Sequence, residues 1–118
     1  MDESRPIFVQ IAEQIENDII AGALSEETQV PSTNEFAAFY RINPATALKG
    51  VSLLVDEGIL YKKRGIGMFV STGARERLQT QRRERFGAEF VRPLLDEAAK
   101  LGIGSRELAD MIRKEDQA

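Results

Sequence analysis

Residues 30–70, with the sequence VPSTNEFAAFYRINPATALKGVSLLVDEGILYKKRGIGMFV, decide the fold of this chain of 118 residues. Ser32 and Glu35 stand three positions apart, which is the spacing of a capping box at a helix N-terminus. Asn43 is a good capping residue for a second helix. Pro44 suits its first position, because the N–H that proline lacks has no intrahelical partner there. The stretch therefore begins with two short helices separated by a tight turn.

The second half of the stretch predicts a β-hairpin. Gly58 is placed to end the second helix, and the runs Ile59–Arg64 and Met68–Ser71 have the composition of strands. Gly65–Gly67 supplies the flexible turn between them. Helix, turn, helix and hairpin make a winged helix-turn-helix. The predicted fold class is therefore mainly α with a small β-hairpin, an architecture that favours DNA binding.

A further helix is predicted ahead of this stretch, over Ile7–Ala21. Its apolar residues recur at intervals of three and four, which is typical of a helix with one buried face. They are Phe8, Ile11, Ala12, Ile15 and Ile19. We expect this helix to end at Gly22 and to pack beneath the helix pair as a scaffold.

Charge is unevenly distributed along the chain, although the formal net charge is only −3. Residues 1–40 carry one Arg and eight Asp or Glu, a net −7, whereas residues 41–85 carry ten Lys or Arg and four acids, a net +6. The basic block covers the second helix and the hairpin, where a phosphate backbone would lie. Charge clusters are more often solvated surface, but the coincidence with the helix-turn-helix favours a binding role.

The chain contains no cysteine and no histidine. A disulfide framework and a thiolate zinc site are thereby excluded, and the commonest general base is missing. No carboxylate pair stands in a recognisable site, so we predict no enzyme activity, no metal and no cofactor. No apolar run approaches the ~20 residues of a membrane span, and the N-terminus lacks a signal-peptide pattern. We therefore expect no membrane partner and a cytoplasmic location.

The second helix of the pair has two different faces. The predicted buried stripe consists of Ala47, Leu48, Val51, Leu54 and Val55. The opposite stripe is small and polar and consists of Ala45, Thr46, Lys49, Ser52 and Asp56. Its threonine offers a hydroxyl and a methyl group to base edges, and its lysine can reach a guanine edge or a phosphate. Taken alone, such a stripe is more typical of an ordinary solvated helix face.

Four segments together resemble the winged helix of GntR-type bacterial transcription regulators. They are PIFVQIAEQI from residue 6, VPSTNEFA from residue 30, INPATALKGVSLLVDEGIL from residue 42 and RGIGMFV from residue 64. The resemblance implies that Pro31–Thr33 begin a helix on the DNA backbone. It also implies that Asn43–Lys49 enter the major groove and that Arg64–Gly67 reach the adjacent minor groove.

A set of DNA-contacting residues follows from the helix faces, the basic block and this resemblance. Lys62 is expected to contact a phosphate, so that it supports binding to any sequence. The full set is Ser32, Thr33, Asn34, Asn43, Ala45, Thr46, Lys49, Lys62, Arg64, Gly65, Ile66 and Gly67.

The chain departs from the family pattern at four positions. Asn34 stands where Arg is usual, and Ala45 stands where a larger polar residue is common, so the set of DNA contacts is thinner. Gly50 replaces a usual Ala, at a cost of up to ~1 kcal/mol in helix propensity. Met68 stands where Thr is more common.

The chain divides by sequence into a DNA-binding part, residues 1–72, and a helical tail, residues 73–118. The tail resembles the short two-helix tail of the YtrA-type subfamily. Ala74–Leu101 has the pattern of one long helix, which Pro93 should kink or split because it removes a backbone hydrogen bond. Ser105 is expected to cap a last helix that ends near Lys114.

Both predicted tail helices carry large apolar residues. Two helices cannot bury two apolar faces within one chain, so we expect a homodimer through this surface, or else a stripe folded back onto the winged helix. The same surface is a candidate pocket for a small apolar effector. The residues are Phe86, Phe90, Leu94, Leu95, Leu101, Leu108, Met111 and Ile112.

Together these features predict a sequence-specific DNA-binding transcription regulator that binds an inverted-repeat operator in double-stranded DNA as a homodimer. The subfamily resemblance implies repression. The alternative is a winged helix used for protein–protein contact without specific DNA binding, which the acidic net charge and the thinner contact set favour.

Overall fold

The computed structural model describes residues 3–118 and divides into two compact units, the first extending to Thr80 and the second running from Gln81 to Ala118. The described residues are mostly helical, with one two-stranded antiparallel hairpin, so the predicted fold class is confirmed. The elements in chain order are α1 Ile7–Ala21, α2 Thr33–Tyr40, α3 Pro44–Asp56, β1 Leu60–Lys63, β2 Gly67–Val70, α4 Ala74–Phe86, a π-helical segment Gly87–Val91, α5 Arg92–Lys100 and α6 Ser105–Asp116.

Local capping fixes the starts of α2 and α3, as the sequence predicts. The Ser32 hydroxyl accepts the Glu35 backbone N–H at 3.1 Å, and the Glu35 carboxylate accepts the Ser32 N–H at 3.2 Å. Both halves of the capping box are therefore formed. The Asn43 side chain accepts the Ala45 N–H at 2.8 Å, and Pro44 occupies the first turn of α3.

The core of the first unit lies among α1, α2, α3, the hairpin and the start of α4. α3 contributes Ala47, Val51 and Leu54, which are nearly inaccessible to solvent. Leu48 is 48% exposed, so its assignment to the buried stripe was wrong. The residue lies about 100° around the helix from Ala47, outside the face that packs on α1. The buried cluster consists of Ile11, Ala12, Ile15, Ile19, Val30, Phe36, Ala37, Ala47, Val51, Leu54, Ile59, Leu60, Val70, Ala74 and Leu78.

Close packing of α1 against α3 depends on Gly50. A Cβ atom at this position would stand 2.7 Å from the Phe8 carbonyl oxygen and 3.0 Å from the Ile11 Cβ. Glycine at this position lowers the helix propensity of α3, but it lets the backbones of α1 and α3 approach more closely than a larger residue would allow.

A third extended segment, residues 28–30, lies beside β2 and was not indicated by the sequence pattern. The Val30 N–H donates to the Met68 carbonyl at 2.9 Å, and the Val70 N–H donates to the Thr28 carbonyl at 3.0 Å. Gln29 forms an antiparallel bridge with Phe69. The chain that leads into α2 is thereby joined to the hairpin.

The second unit contains the predicted interruption of the long helix. The interruption is a π-helical turn over Gly87–Val91, where the Arg92 N–H donates to the Gly87 carbonyl. Pro93 follows it, within the first two residues of α5; the backbone ahead of it, at Val91 and Arg92, keeps helical φ and ψ, so the chain stays helical through the interruption. The predicted cap of the last helix was wrong: α6 begins at Ser105 itself, with Gly104 as the N-cap and no side-chain capping bond.

Candidate nucleic-acid interface

The N-terminus of α2 presents its first residues at the surface. Ser32 and Asn34 are exposed and Thr33 is half-buried. The Ser32 hydroxyl accepts the cap bond from Glu35, so its own proton remains available to donate to an oxygen atom. The N-terminal end of a helix carries partial positive charge, which favours an anionic partner such as a phosphate group.

The predicted reading face of α3 comes together at its N-terminal half. Asn43, Ala45 and Lys49 are exposed and Thr46 is half-buried. Asn43 already uses its carboxamide oxygen as the helix cap, which leaves its NH₂ group as a donor. The side chains of this face are therefore small near the start of the helix, and the face ends at the positively charged Lys49.

The Lys49 ammonium lies over the ring of Phe8, 4.1 Å from the ring centroid. Such a cation–π contact favours one orientation of a side chain that otherwise has many rotamers. The contact joins α1 to the reading face, because Phe8 stands on α1 next to the close approach at Gly50. The apolar periodicity of α1 indicated Phe8 only as a core residue.

The tip of the hairpin carries the glycine turn that the sequence predicts. Arg64, Gly65 and Ile66 are exposed, and the turn is closed by the Ile66 N–H, which donates to the Lys63 carbonyl at 3.0 Å. Gly65 has φ +77° and Gly67 has φ +147°, conformations that residues with a Cβ rarely adopt. The apolar side chain of Ile66, at the centre of this turn, is 63% exposed.

The two lysines of β1 differ in their surroundings. Lys62, which the sequence assigns to DNA, is exposed and pairs across the hairpin with Met68. The Lys63 ammonium lies over the Phe69 ring, 4.3 Å from its centroid. Phe69 in turn stacks on Tyr61, with ring centroids 5.9 Å apart. The alternation of side chains along a strand places these three residues on one face of the hairpin.

Tyr61 is tied to the segment that leads into α2. Its hydroxyl donates to the Glu27 carboxylate at 2.7 Å. This hydrogen bond to a carboxylate is the main cause, ahead of burial and the Glu27 charge, that raises the pKa of Tyr61 above its ordinary value.

The predicted tail residues lie in the second unit and are mostly exposed. An open depression of about 510 Å³ is lined by Leu94, Leu108, Met111, Ile112, Glu115 and Asp116. Phe86 and Phe90 do not line it; they pack against each other with ring centroids 5.5 Å apart. Leu95 and Leu101 are exposed outside it. The structure thus brings four of the eight predicted tail residues to one place, namely Leu94, Leu108, Met111 and Ile112.

Two kinds of feature are absent from the part of the chain that the structure describes. Residues 3–118 contain no group of three or more acidic, histidine or cysteine side chains placed to hold a metal ion. Within the same range, none of the helices combines the length and the hydropathy that a membrane crossing needs.

Similarity to known proteins was found for most of the chain. A family model described as bacterial regulatory proteins of the gntR family matches residues 8–70. The transcriptional repressor NagR of Bacillus subtilis is 41% identical over 66 residues, which span 56% of this chain and 27% of NagR. This chain therefore corresponds to about a quarter of that relative.

Two further proteins are similar over nearly the whole chain. The repressor YtrA of Bacillus subtilis is 28% identical over 111 residues, which span 94% of this chain and 85% of YtrA. A crystal structure of a GntR-family transcriptional regulator from Bacteroides thetaiotaomicron is 34% identical. It superposes with a TM-score of 0.73 and covers 94% of this chain and 96% of that chain. The similarity thus extends through the helices that follow the hairpin.

Proposed function

The chain belongs to the GntR family of bacterial regulatory proteins, and from that premise we propose that it is a sequence-specific DNA-binding transcription regulator that acts as a repressor. The observation that carries the proposal is the exposed face of Asn43, Ala45, Thr46 and Lys49 on α3, followed by the glycine turn at the tip of the hairpin. Its relatives NagR and YtrA are both described as HTH-type transcriptional repressors.

In the proposed complex three elements have different roles. The N-terminus of α2, at Ser32–Asn34, binds the phosphate backbone, since helix N-termini favour anions. The start of α3 enters the major groove, where Lys49 reads a guanine edge and the Thr46 methyl can meet a thymine. The tip of the hairpin, Arg64–Gly67, enters the adjacent minor groove, where arginine is favoured by the negative potential.

We propose that two copies bind an inverted repeat, with residues 1–72 as the DNA-binding part and residues 73–118 as the dimerisation part. Support comes from the second unit, where Phe86, Phe90 and Leu101 are 55%, 62% and 65% exposed. Exposed apolar surface of this extent is typical of an interface. A two-fold axis would place the two reading helices about one helical turn, ~34 Å, apart on the DNA.

The test is selection followed by binding measurements. The protein is used to select duplexes from a random-sequence library, and the enriched site is compared with random DNA over a range of salt. Lys49→Ala should lose about 1–3 kcal/mol on the selected site only. Lys62→Ala should weaken both duplexes alike and reduce the salt slope by about one unit.

A second candidate function is a protein–protein interaction module, which the exposure of Phe39 favours. This side chain on α2 is 79% exposed, and its ring meets the Tyr40 ring edge to face with the centroids 4.9 Å apart. If the protein enriches no sequence from the library and binds all duplexes equally, the proposal of a sequence-specific regulator is contradicted. The protein–protein interaction module is then preferred. Phe39→Ala should then abolish partner binding while leaving folding intact.

We further propose that a small, mostly apolar molecule binds the depression beside Leu94 and Met111. A ligand there can change DNA affinity only by binding one arrangement of the dimer more tightly than another. A thermal-shift screen of small alcohols and fatty acids should find a stabilising compound. Ile112→Ala, inside the depression, should lose that effect, whereas Phe90→Ala, outside it, should keep it. If no compound shifts the melting temperature or the DNA affinity, the effector proposal is wrong.

A further inference from the structure

The side chain of Gln29 joins the chain ahead of α2 to the tip of the hairpin. Its Nε2 atom donates a hydrogen bond to the Ile66 carbonyl oxygen at 2.9 Å, across 37 residues of sequence. The carboxamide also lies against Gly67, where a Cβ atom would stand 2.5 Å from Nε2. The tip of the hairpin therefore has a specific partner outside the hairpin itself.

The two residues joined by this contact differ in how firmly their backbones are held. Gln29 stands in the extended segment beside β2, where its neighbours Thr28 and Val30 are hydrogen-bonded to Val70 and Met68. The turn at the tip, by contrast, contains two glycines with positive φ, and residues 64–66 lie beyond the last ladder pair, Lys63 with Gly67, where the Ile66 N–H donates to the Lys63 carbonyl. Glycine-rich turns have many accessible conformations in the absence of an external contact. The hydrogen-bonded segment around Gln29 thus restrains the glycine turn at the tip of the hairpin.

We propose that Gln29 is a positioning residue for DNA recognition: its carboxamide holds the tip of the hairpin in its binding conformation before DNA arrives. The inference rests on the proposed function and deepens it, because it names a residue that orders the minor-groove contact without touching DNA. Gln29 stands only three residues before Ser32. The same short segment therefore leads to the phosphate contact of α2 and restrains the tip.

The physical reason is preorganisation. Ordering a loop on binding reduces affinity, and a loop that is already ordered avoids that reduction. Loss of the Gln29 bond should therefore weaken binding to the selected duplex by roughly three- to tenfold. Since the effect operates through the tip, it should disappear when the tip makes no contact.

The test uses the full chain with Gln29→Met, which keeps the length of the side chain but cannot donate a hydrogen bond. Binding to the selected duplex is measured for this variant, for Arg64→Ala and for the double variant. Introduced alone, Gln29→Met should weaken binding. Introduced into the Arg64→Ala variant, it should have little further effect. Introduced into the Lys49→Ala variant, whose substitution lies on a different element, Gln29→Met should weaken binding as much as it does alone. Additive losses beside Arg64→Ala would overturn the proposal.

Hydrogen exchange of the DNA-free protein gives a readout that does not depend on the operator. In Gln29→Met the amides of Ile66 and Gly67 should exchange faster, while the amides of α1 and α3 and the melting temperature stay unchanged. Unchanged exchange at the tip would overturn the positioning role even if DNA affinity fell. If the wild-type protein prefers no sequence, the proposed function fails, and the exchange rates still decide whether Gln29 orders the tip.

Discussion

The two units of this chain use their apolar residues in opposite ways. In the first unit the large apolar side chains of α1, α3 and the hairpin are buried together, and α1 approaches α3 closely at Gly50. In the second unit, Ala98 and Leu108 are the buried residues among those described. Its large side chains lie at the surface: Phe86, Phe90, Val91, Leu94, Leu95, Leu101, Met111 and Ile112.

From this difference we predict that the two units obtain their stability from different sources. A unit with its own core is stabilised by intramolecular packing, so its stability does not depend on protein concentration. A helical unit that exposes its apolar face is stabilised when a partner covers that face, which makes its stability concentration-dependent. Substitutions placed in one unit at a time can therefore test whether the two units differ in this way.

The largest effect is expected in the core of the first unit. Leu54→Ala removes a side chain that is 1% exposed and should reduce the free energy of unfolding by about 2–5 kcal/mol at every protein concentration. Leu48→Ala, on the same helix but at the surface, is the matched control and should change it by less than about 0.5 kcal/mol. Equal losses in chemical denaturation would mean that the core does not lie where the structure places it.

The next effect is expected at the apolar face of the second unit. Leu101→Glu puts a charge into the proposed interface and should weaken dimerisation by about 2 kcal/mol, or roughly thirtyfold in the dissociation constant. Gln117→Glu makes the same change of charge at an exposed polar position and should have no such effect. Analytical ultracentrifugation measures both. A dimer that tolerates Leu101→Glu would show that this face is covered in another way.

The smallest effects contrast one glycine from each unit. Gly50→Ala gains up to about 1 kcal/mol in helix propensity but meets the Phe8 carbonyl oxygen, so we expect a net loss of about 1–2 kcal/mol. Gly87→Ala has open space around the new Cβ and should stabilise the protein by about 0.4–1 kcal/mol. Thermal unfolding of the two variants compares them directly. Stabilisation by Gly50→Ala would mean that α1 can move away at little cost.

How much the sequence predicts depends on how local each interaction is. The caps at Ser32 and Asn43 involve neighbours within three residues, and the sequence predicts both correctly. The extended segment around Gln29 pairs with a strand about 40 residues away, and nothing within the segment itself indicates the pairing. Ser105 failed as a cap for a local reason: the helix begins one residue earlier than the capping pattern implies.

The interface residues show the same division. The polar stripe of α3 and the glycine turn follow from helical and hairpin periodicity, and the structure places them at the surface. The ring under Lys49 and the donor to Ile66 belong to distant elements. Because Phe8 is apolar, the sequence indicated only a core position for it. Nothing in the sequence pattern pointed to the contact that the exposed Gln29 makes with the hairpin.

The π-helical turn at Gly87–Val91 determines the angular phase of the tail. Phe86, Phe90, Leu94 and Ala98 recur every four residues, and in an unbroken α-helix each such step drifts by about 40° around the axis. Over three steps the first and last of these residues would face directions more than a quarter-turn apart. A π turn takes in one extra residue, which turns the following helix back and removes most of this drift. The exposed side chains of Phe86, Phe90 and Leu94 are thereby brought closer to one line along the helix axis, which favours a straight partner helix, whereas Ala98 is buried.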